Sequence, residues 1–214
     1  MRAAAVGSLV LALHVGNVAT ARSQLPTQIE ATGGIGLVRV HSDLGAAEES
    51  LRGPAFAADA ALGFGRLGVQ LGYVRGRLSA ADSTPLPRNV TEGAVAITFA
   101  VHRLLTVAAG PRARAYTSDV GTRRWLMWEA RVHGEAPLHA EVASVYAELR
   151  GAFGGTTNTA RDFRESRGGE VGIWVRLSSA VLRIAYSVDR TRGRDPVHQD
   201  MIERLVISGG FERR

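Results

Sequence analysis

The chain is 214 residues long, 45% hydrophobic and 21% charged, a balance that suits one folded domain and excludes a disordered chain. Its net charge of +6 rests on 26 basic residues, all arginine because the sequence holds no lysine; they are scattered, without the basic run or motif that nucleic-acid binding would need. There is no cysteine, which excludes disulfides, thiolate zinc sites and thiol nucleophiles.

After Arg2, residues 3–19 are mostly apolar and end in Ala19-Thr20-Ala21. Interrupted by His14 and Asn17, this run is too short for a good membrane span and reads as a secretory signal over residues 1–21, leaving 22–214 as one domain. A buried N-terminal helix is the alternative. No later stretch is continuously apolar for the roughly 18 residues that a spanning helix needs, so the exported chain could enter a membrane only as strands.

From there the apolar residues recur with the two-residue period of a strand. Ile29, Ala31, Ile35 and Leu37 oppose Glu30 and Thr32 in a first strand, and the polar, acidic residues 42–53 predict a long loop. A second strand sets Phe56, Ala58, Ala60, Leu62 and Phe64 against Asp59. A two-residue turn at Gly65-Arg66 then leads to a third with Leu67, Val69, Leu71 and Tyr73, so that Phe64 meets Leu67 and Leu62 meets Val69. Residues 80–89, with Pro85 and Pro87, predict the next loop. The fourth strand carries Val95, Ile97, Phe99 and Val101 against Glu92, Thr98 and His102; a three-residue turn at 103–105 leads to a fifth with Leu105, Val107, Ala109 and Ala113 against Thr106, Arg112, Arg114 and Tyr116. Pro111 predicts a bulge or a misplaced boundary there, and loss of this strand would leave eight rather than ten.

After a short loop at 118–122, a sixth strand sets Leu126, Trp128, Ala130 and Val132 against Trp125, Glu129, Arg131 and His133. A turn at 135–137 would start a seventh with Leu138, Ala140 and Val142 against His139 and Glu141, placing Arg131 opposite Glu141 and His133 opposite His139. The parity change after Ala143 predicts a bulge. Residues 153–167 form the longest predicted loop. The hairpin 169–189 follows, with Val171, Ile173, Val175 and Leu177 on one arm and Leu182, Ile184, Tyr186 and Val188 on the other. Ser178-Ser179 as its turn pairs Val175 with Leu182, Ile173 with Ile184, Val171 with Tyr186, and Trp174 with Arg183 on the polar face. A loop at 190–199 precedes a last strand ending Leu205, Ile207, Gly209, Phe211. The result is an all-β chain of about ten antiparallel strands, joined alternately by tight turns and long polar loops.

Alternation alone leaves open whether the apolar face turns into a soluble core or out into lipid. Long loops at one end and minimal turns at the other favour lipid, as do strands near the about 9–11 residues that cross a bilayer when tilted. Outward aromatics toward the strand ends agree: Phe64, Phe99 and Phe211 at the short turns, Tyr73, Trp128 and Tyr186 toward the loops. On this pattern of export signal, even strand count, loop asymmetry and terminal aromatic, the chain resembles the bacterial outer-membrane β-barrel superfamily, from Thr27 to Phe211. The resemblance implies an up-and-down transmembrane barrel with periplasmic termini, surface-exposed loops and a last strand closing onto the first. It departs from that pattern where Glu212, Arg213 and Arg214 follow the aromatic.

A barrel of ten strands should have a narrow lumen, and the inward set is charged with both signs: Glu30, Asp59, Glu92, Arg112, Arg114, Glu129, Arg131, Glu141, Glu148, Arg150, Glu170, Arg176, Arg183 and Asp189. Buried charges persist when paired, so the expectation is a salt-bridged lumen, with Trp174 over Arg183 as a cation-π contact. An ion path is the alternative. Outer-membrane proteases and lipid A-modifying enzymes share such barrels. Against the first, this chain offers only His198, Asp200 and Asp82; against the second, only His41-Ser42 and Ser144. Neither motif is reproduced, so no catalytic residue, metal or cofactor is expected. The expected role is structural or surface-contact, through five long loops, with Arg161, Phe163 and Arg164 as contact candidates and a further extracellular ligand at the loops. Expected partners are the outer-membrane lipids, lipopolysaccharide included, with the protein a monomer. A narrow channel, an enzyme and a soluble secreted barrel binding an apolar ligand are the alternative readings.

Overall fold

The structure, a computed structural model, describes residues 26–43, 48–80, 87–139, 142–158, 163–193 and 199–213. The proposed export signal at 1–21 lies outside them. Ten strands follow one another: β1 (Gln28–Asp43), β2 (Glu48–Phe64), β3 (Leu67–Ala80), β4 (Arg88–His102), β5 (Leu105–Ser118), β6 (Gly121–His139), β7 (Ala143–Thr157), β8 (Phe163–Leu177), β9 (Ala180–Gly193) and β10 (Gln199–Arg213). Each pairs antiparallel with its neighbours in sequence, and β10 closes on β1. The closing register sets Ala31 against Phe211, Glu30 against Glu212 and Ile29 against Arg213, so Glu212 and Arg213, past the terminal aromatic, are part of the ladder.

The registers read from parity for the β2–β3 and β8–β9 hairpins are those observed. Val175 opposes Leu182, Ile173 opposes Ile184, Val171 opposes Tyr186 and Trp174 opposes Arg183; Phe64 opposes Leu67 and Leu62 opposes Val69. Gly65 (φ 65°) and Ser178 (φ 58°) supply the left-handed backbone that such two-residue turns need.

Strand length differs from expectation. The strands run to 14–19 residues, and most of the segments 42–53 and 153–167, with parts of 80–89 and 190–199, all expected as loops, belong to them. The pleat continues through these segments while its chemistry inverts. On β1, Ile35 and Leu37 point outward; two residues on, Arg39 points outward while Val38 and Val40 are buried inside. The same inversion sets Arg52 outside and Leu51 inside on β2, Arg77 outside and Leu78 inside on β3, and Arg124 outside and Trp125 inside on β6. The barrel therefore has two storeys. Toward the short turns, apolar residues face out and charges face in, as a bilayer requires. Toward the loops, polar residues face out and an apolar cluster fills the interior, as in a soluble barrel.

Two connections and one strand interior also differ. The β4–β5 turn is Arg103-Leu104, and the register shifts between Ala100 and His102. Pro111 makes no bulge: pairing with β4 pauses over 110–111 and resumes in the same register, while Pro111 opposes Trp128 on β6. The turn placed at 135–137 lies inside β6, which runs on to His139. The parity change near Ala143 is the start of β7, and the register shifts fall between Pro137 and His139 and between Trp128 and Glu129. Arg131 consequently opposes Arg150 and His133 opposes Glu148; Glu141 lies outside the described residues. Pro137 acted as a false stop signal, because proline at a bulged strand end removes no ladder bond.

The outer girdle gives a direct expectation. Ile97 on β4, 66% exposed, stands amid the apolar band, and Ile97→Arg should destabilise the barrel by about 2–4 kcal/mol in lipid vesicles. Thr91→Arg, on the same outer face in the loop-side storey, should cost less than about 1 kcal/mol. Urea unfolding in vesicles reads both, and equal small effects would contradict the girdle.

The lumenal charge network as candidate functional site

Because the strands alternate, residues two apart on one strand share the lumen, and neighbouring strands bring their inward charges to one level. At the middle of the barrel lies Asp189 of β9, 1% exposed. Four guanidiniums converge on it: Arg112 (2.7 Å) and Arg114 (3.3 Å) from β5, Arg150 (2.7 Å) from β7 and Arg204 (2.5 Å) from β10. Glu92 of β4 takes a second set of bonds from three of them, Arg112 (2.6 Å), Arg114 (2.7 Å) and Arg204 (2.9 Å). Arg112 reaches on to Glu129 (2.8 Å), which also accepts from Arg131 Nε (2.8 Å), and Arg150 reaches Glu148 (3.2 Å). Ring closure thus cross-links β4, β5, β6, β7, β9 and β10 through side chains.

Toward the short turns a second cluster forms around Arg183. It pairs with Glu170 and with Asp59 (3.2 Å), and donates from Nε to Tyr146 Oη (2.7 Å), which itself donates to Glu170 (2.7 Å). The guanidinium lies over the rings of Tyr146 (5.3 Å) and Trp174 (5.4 Å). Below it Arg176 bonds Glu212 (2.9 Å), Glu135 (2.6 Å) and Ser144 Oγ (2.8 Å), and also lies over the Trp174 ring at 5.3 Å. Between the clusters a cavity of about 100 Å³, walled by Asp59, Gln70, Arg131, Glu148 and Arg183, has room for a few waters.

Toward the loops the lumen is closed by apolar side chains, among them Leu51, Leu78, Met127, Trp125, Phe163 and Ile202. Arg123 caps this cluster, over Tyr116 (4.9 Å) and Trp125 (5.7 Å) and bonded to Asp200 (2.5 Å), which also accepts from Ser42 Oγ (2.7 Å).

Of the residues singled out from the sequence, Arg112, Arg114, Glu129 and Arg131 meet in the central cluster, and Glu170, Trp174 and Arg183 in the second, beside Arg176. Arg204 was missed although its place in the pleat, next to outward Leu205, would have found it. Glu135 was missed because it was read as a turn, and Glu212 because it was read as an overhang. Phe163, expected on an exposed loop, points inward and stands edge-on to Trp125, centroids 6.2 Å apart; Arg164 beside it is exposed, and Arg161 lies outside the described residues. Ser42 is buried while His41 lies on the opposite face of β1. His133 stacks on Tyr146 at 5.2 Å, and in the ladder it opposes Glu148 rather than His139. Asp82 and His198 lie outside the described residues, among which no group of three His, Asp or Glu could hold a metal.

Removing Asp189 would leave four buried guanidiniums facing one another across the lumen. Asp189→Asn should therefore cost about 3–5 kcal/mol of stability. Arg66→Gln, on an exposed turn, should stay within about 0.5 kcal/mol of wild type in the same urea titration.

No family model matches the chain, and no curated protein does by sequence. Among solved structures, the outer membrane protease OmpT from Escherichia coli superposes with a TM-score of 0.58 at 8% identity, covering 88% of this chain and 97% of that one. An outer membrane channel from Pseudomonas putida F1 matches at 0.49 and 10% identity over 88% and 96% of the two chains. The translocator domain of the autotransporter NalP from Neisseria meningitidis matches at 0.47 and 13% over 87% and 89%. At such identities the likeness concerns the fold. With its outward apolar girdle and closed antiparallel ladder, the chain has the fold of the bacterial outer-membrane β-barrels.

Proposed function

We propose that this protein is an occluded outer-membrane barrel without catalytic activity, serving a structural or surface-contact role through the storey that rises above the girdle. The observation that carries this reading is the double closure of the lumen: the arginine–carboxylate clusters block its middle and the apolar cluster seals its loop end. An ion crossing the barrel would have to displace buried ion pairs and then pass a dry apolar layer, and each step is costly. The contact surface is the outer face and rim of the extended strands, where Arg164 is exposed. A protease reading, prompted by the likeness to OmpT, gains nothing from Asp200, which is engaged inside by Ser42 and Arg123.

Planar-bilayer recording tests the reading. Wild type should give no unitary current steps. The two closures act in series, so Arg131→Ala alone, or Trp125→Ala with Phe163→Ala, should stay closed, and the combined variant should leak. Stepwise conductance by wild type would favour the channel instead.

A further inference from the structure

Just above the girdle, the outer face carries Arg39, Arg52, Arg75, Arg77, Arg167 and Arg190, all exposed. They lie on β8, β9, β1, β2 and β3, five strands of one arc that β10, presenting Glu203 on the same face, joins in the middle. The other four strands present residues such as Thr91, Ala115 and Arg124 near that height. Four carboxylates share this outer face of the arc among the described residues: Glu203 at 3.6 Å from Arg39, Glu165 at 3.0 Å from Arg167, and Asp43 and Glu48, which oppose each other on β1 and β2 four residues beyond Arg39 and Arg52.

Two features go beyond a solvated polar face. Arg39 stands directly opposite Arg52 in the β1–β2 ladder, and Arg167 directly opposite Arg190 in the β8–β9 ladder. Like charges directly opposed across a ladder destabilise it; Glu203 and Glu165 each engage one member of a pair, Arg39 and Arg167, and the charge of Arg52 and Arg190 beside them favours a further anion. The chemistry of that anion follows from the pairing. A phosphate monoester carries close to two negative charges and three acceptor oxygens, enough for two guanidiniums, whereas a phosphodiester offers one charge. The two pairs lie three strand spacings and two residues apart, on the order of 15 Å, about the length of two linked sugar rings. Beneath them the outward Leu37, Phe56 and Tyr186 continue the arc into the apolar girdle.

We infer that this arc docks a glycolipid of the outer leaflet whose disaccharide headgroup bears two phosphate monoesters, one at Arg39/Arg52 and one at Arg167/Arg190, with its acyl chains lying along the girdle below. The inference rests on the outer-membrane reading above and names the lipid partner of that surface.

The test uses the full mature chain in nanodiscs, with diphosphorylated lipid A, the same lipid A stripped of phosphate, and phosphatidylglycerol as probes, and bound lipid counted by native mass spectrometry. Wild type should retain diphosphorylated lipid A over the other two. Arg39→Gln with Arg52→Gln, and separately Arg167→Gln with Arg190→Gln, should each weaken retention about tenfold or more. Arg124→Gln, off the arc, and Arg66→Gln, at a short turn, should not. A heat-dependent gel shift verifies that each variant is a folded barrel. Equal retention of phosphatidylglycerol, or paired variants that bind as wild type does, would overturn the inference. Failure of the wild type to enter nanodiscs at all would instead fail the membrane reading on which it rests.

Discussion

Every strand of this chain presents each residue to one of two faces, and a closed ladder lets neither face change partners without a register slip. Ten strands that all turn apolar residues outward must turn everything else inward, so the lumen inherits the charges. A charge held there survives only if another charge meets it. Asp189 resolves the conflict at the middle of the barrel: one buried carboxylate collects guanidiniums from β5, β7 and β10, and Glu92 and Glu129 balance the excess. Arginine suits this role better than lysine, because its planar fork reaches two or three acceptors at once. Arg112 touches Glu92, Glu129 and Asp189 simultaneously.

The same constraint accounts for the second storey. Past the girdle the outer face meets water, so it can be polar, and the interior is free to become apolar. Val38, Leu78 and Met127 then close the loop end as a core of ordinary kind. Occlusion by charge in the membrane and occlusion by apolar packing above it are two outcomes of one rule applied to two solvents. The outward arginines mark the boundary between them, where a bilayer ends in charged headgroups.

Most of the fold was legible in the chain because parity is robust: ten strands, the tight turns at Gly65 and Ser178, and the inward set containing Arg112, Glu129 and Arg183 all follow from it. The errors share one cause. Where the apolar face switches sides, as between Leu37 and Val38, alternation averaged over a strand cancels and reads as loop. Phe163 was for that reason placed outside when it packs against Trp125. Pro137 misplaced the β6–β7 turn and with it the partner of Arg131, since a proline signals a break whether the strand stops or bulges. Which acid each arginine would choose was beyond the sequence, because the lumen joins strands such as β5 and β9 that share no ladder.

The absence of cysteine from the chain makes single-cysteine labelling along the 169–189 hairpin the most direct measurement of a sealed lumen inside an apolar girdle. In intact outer membranes, Ser178→Cys at the turn should react with an aqueous maleimide once the periplasm is opened to it, Ile184→Cys only with a lipid-soluble one, and Ser187→Cys, buried in the lumen, with neither. Reaction of Ser187→Cys with the aqueous reagent as fast as Ser178→Cys would mean that water fills the barrel and would contradict the account.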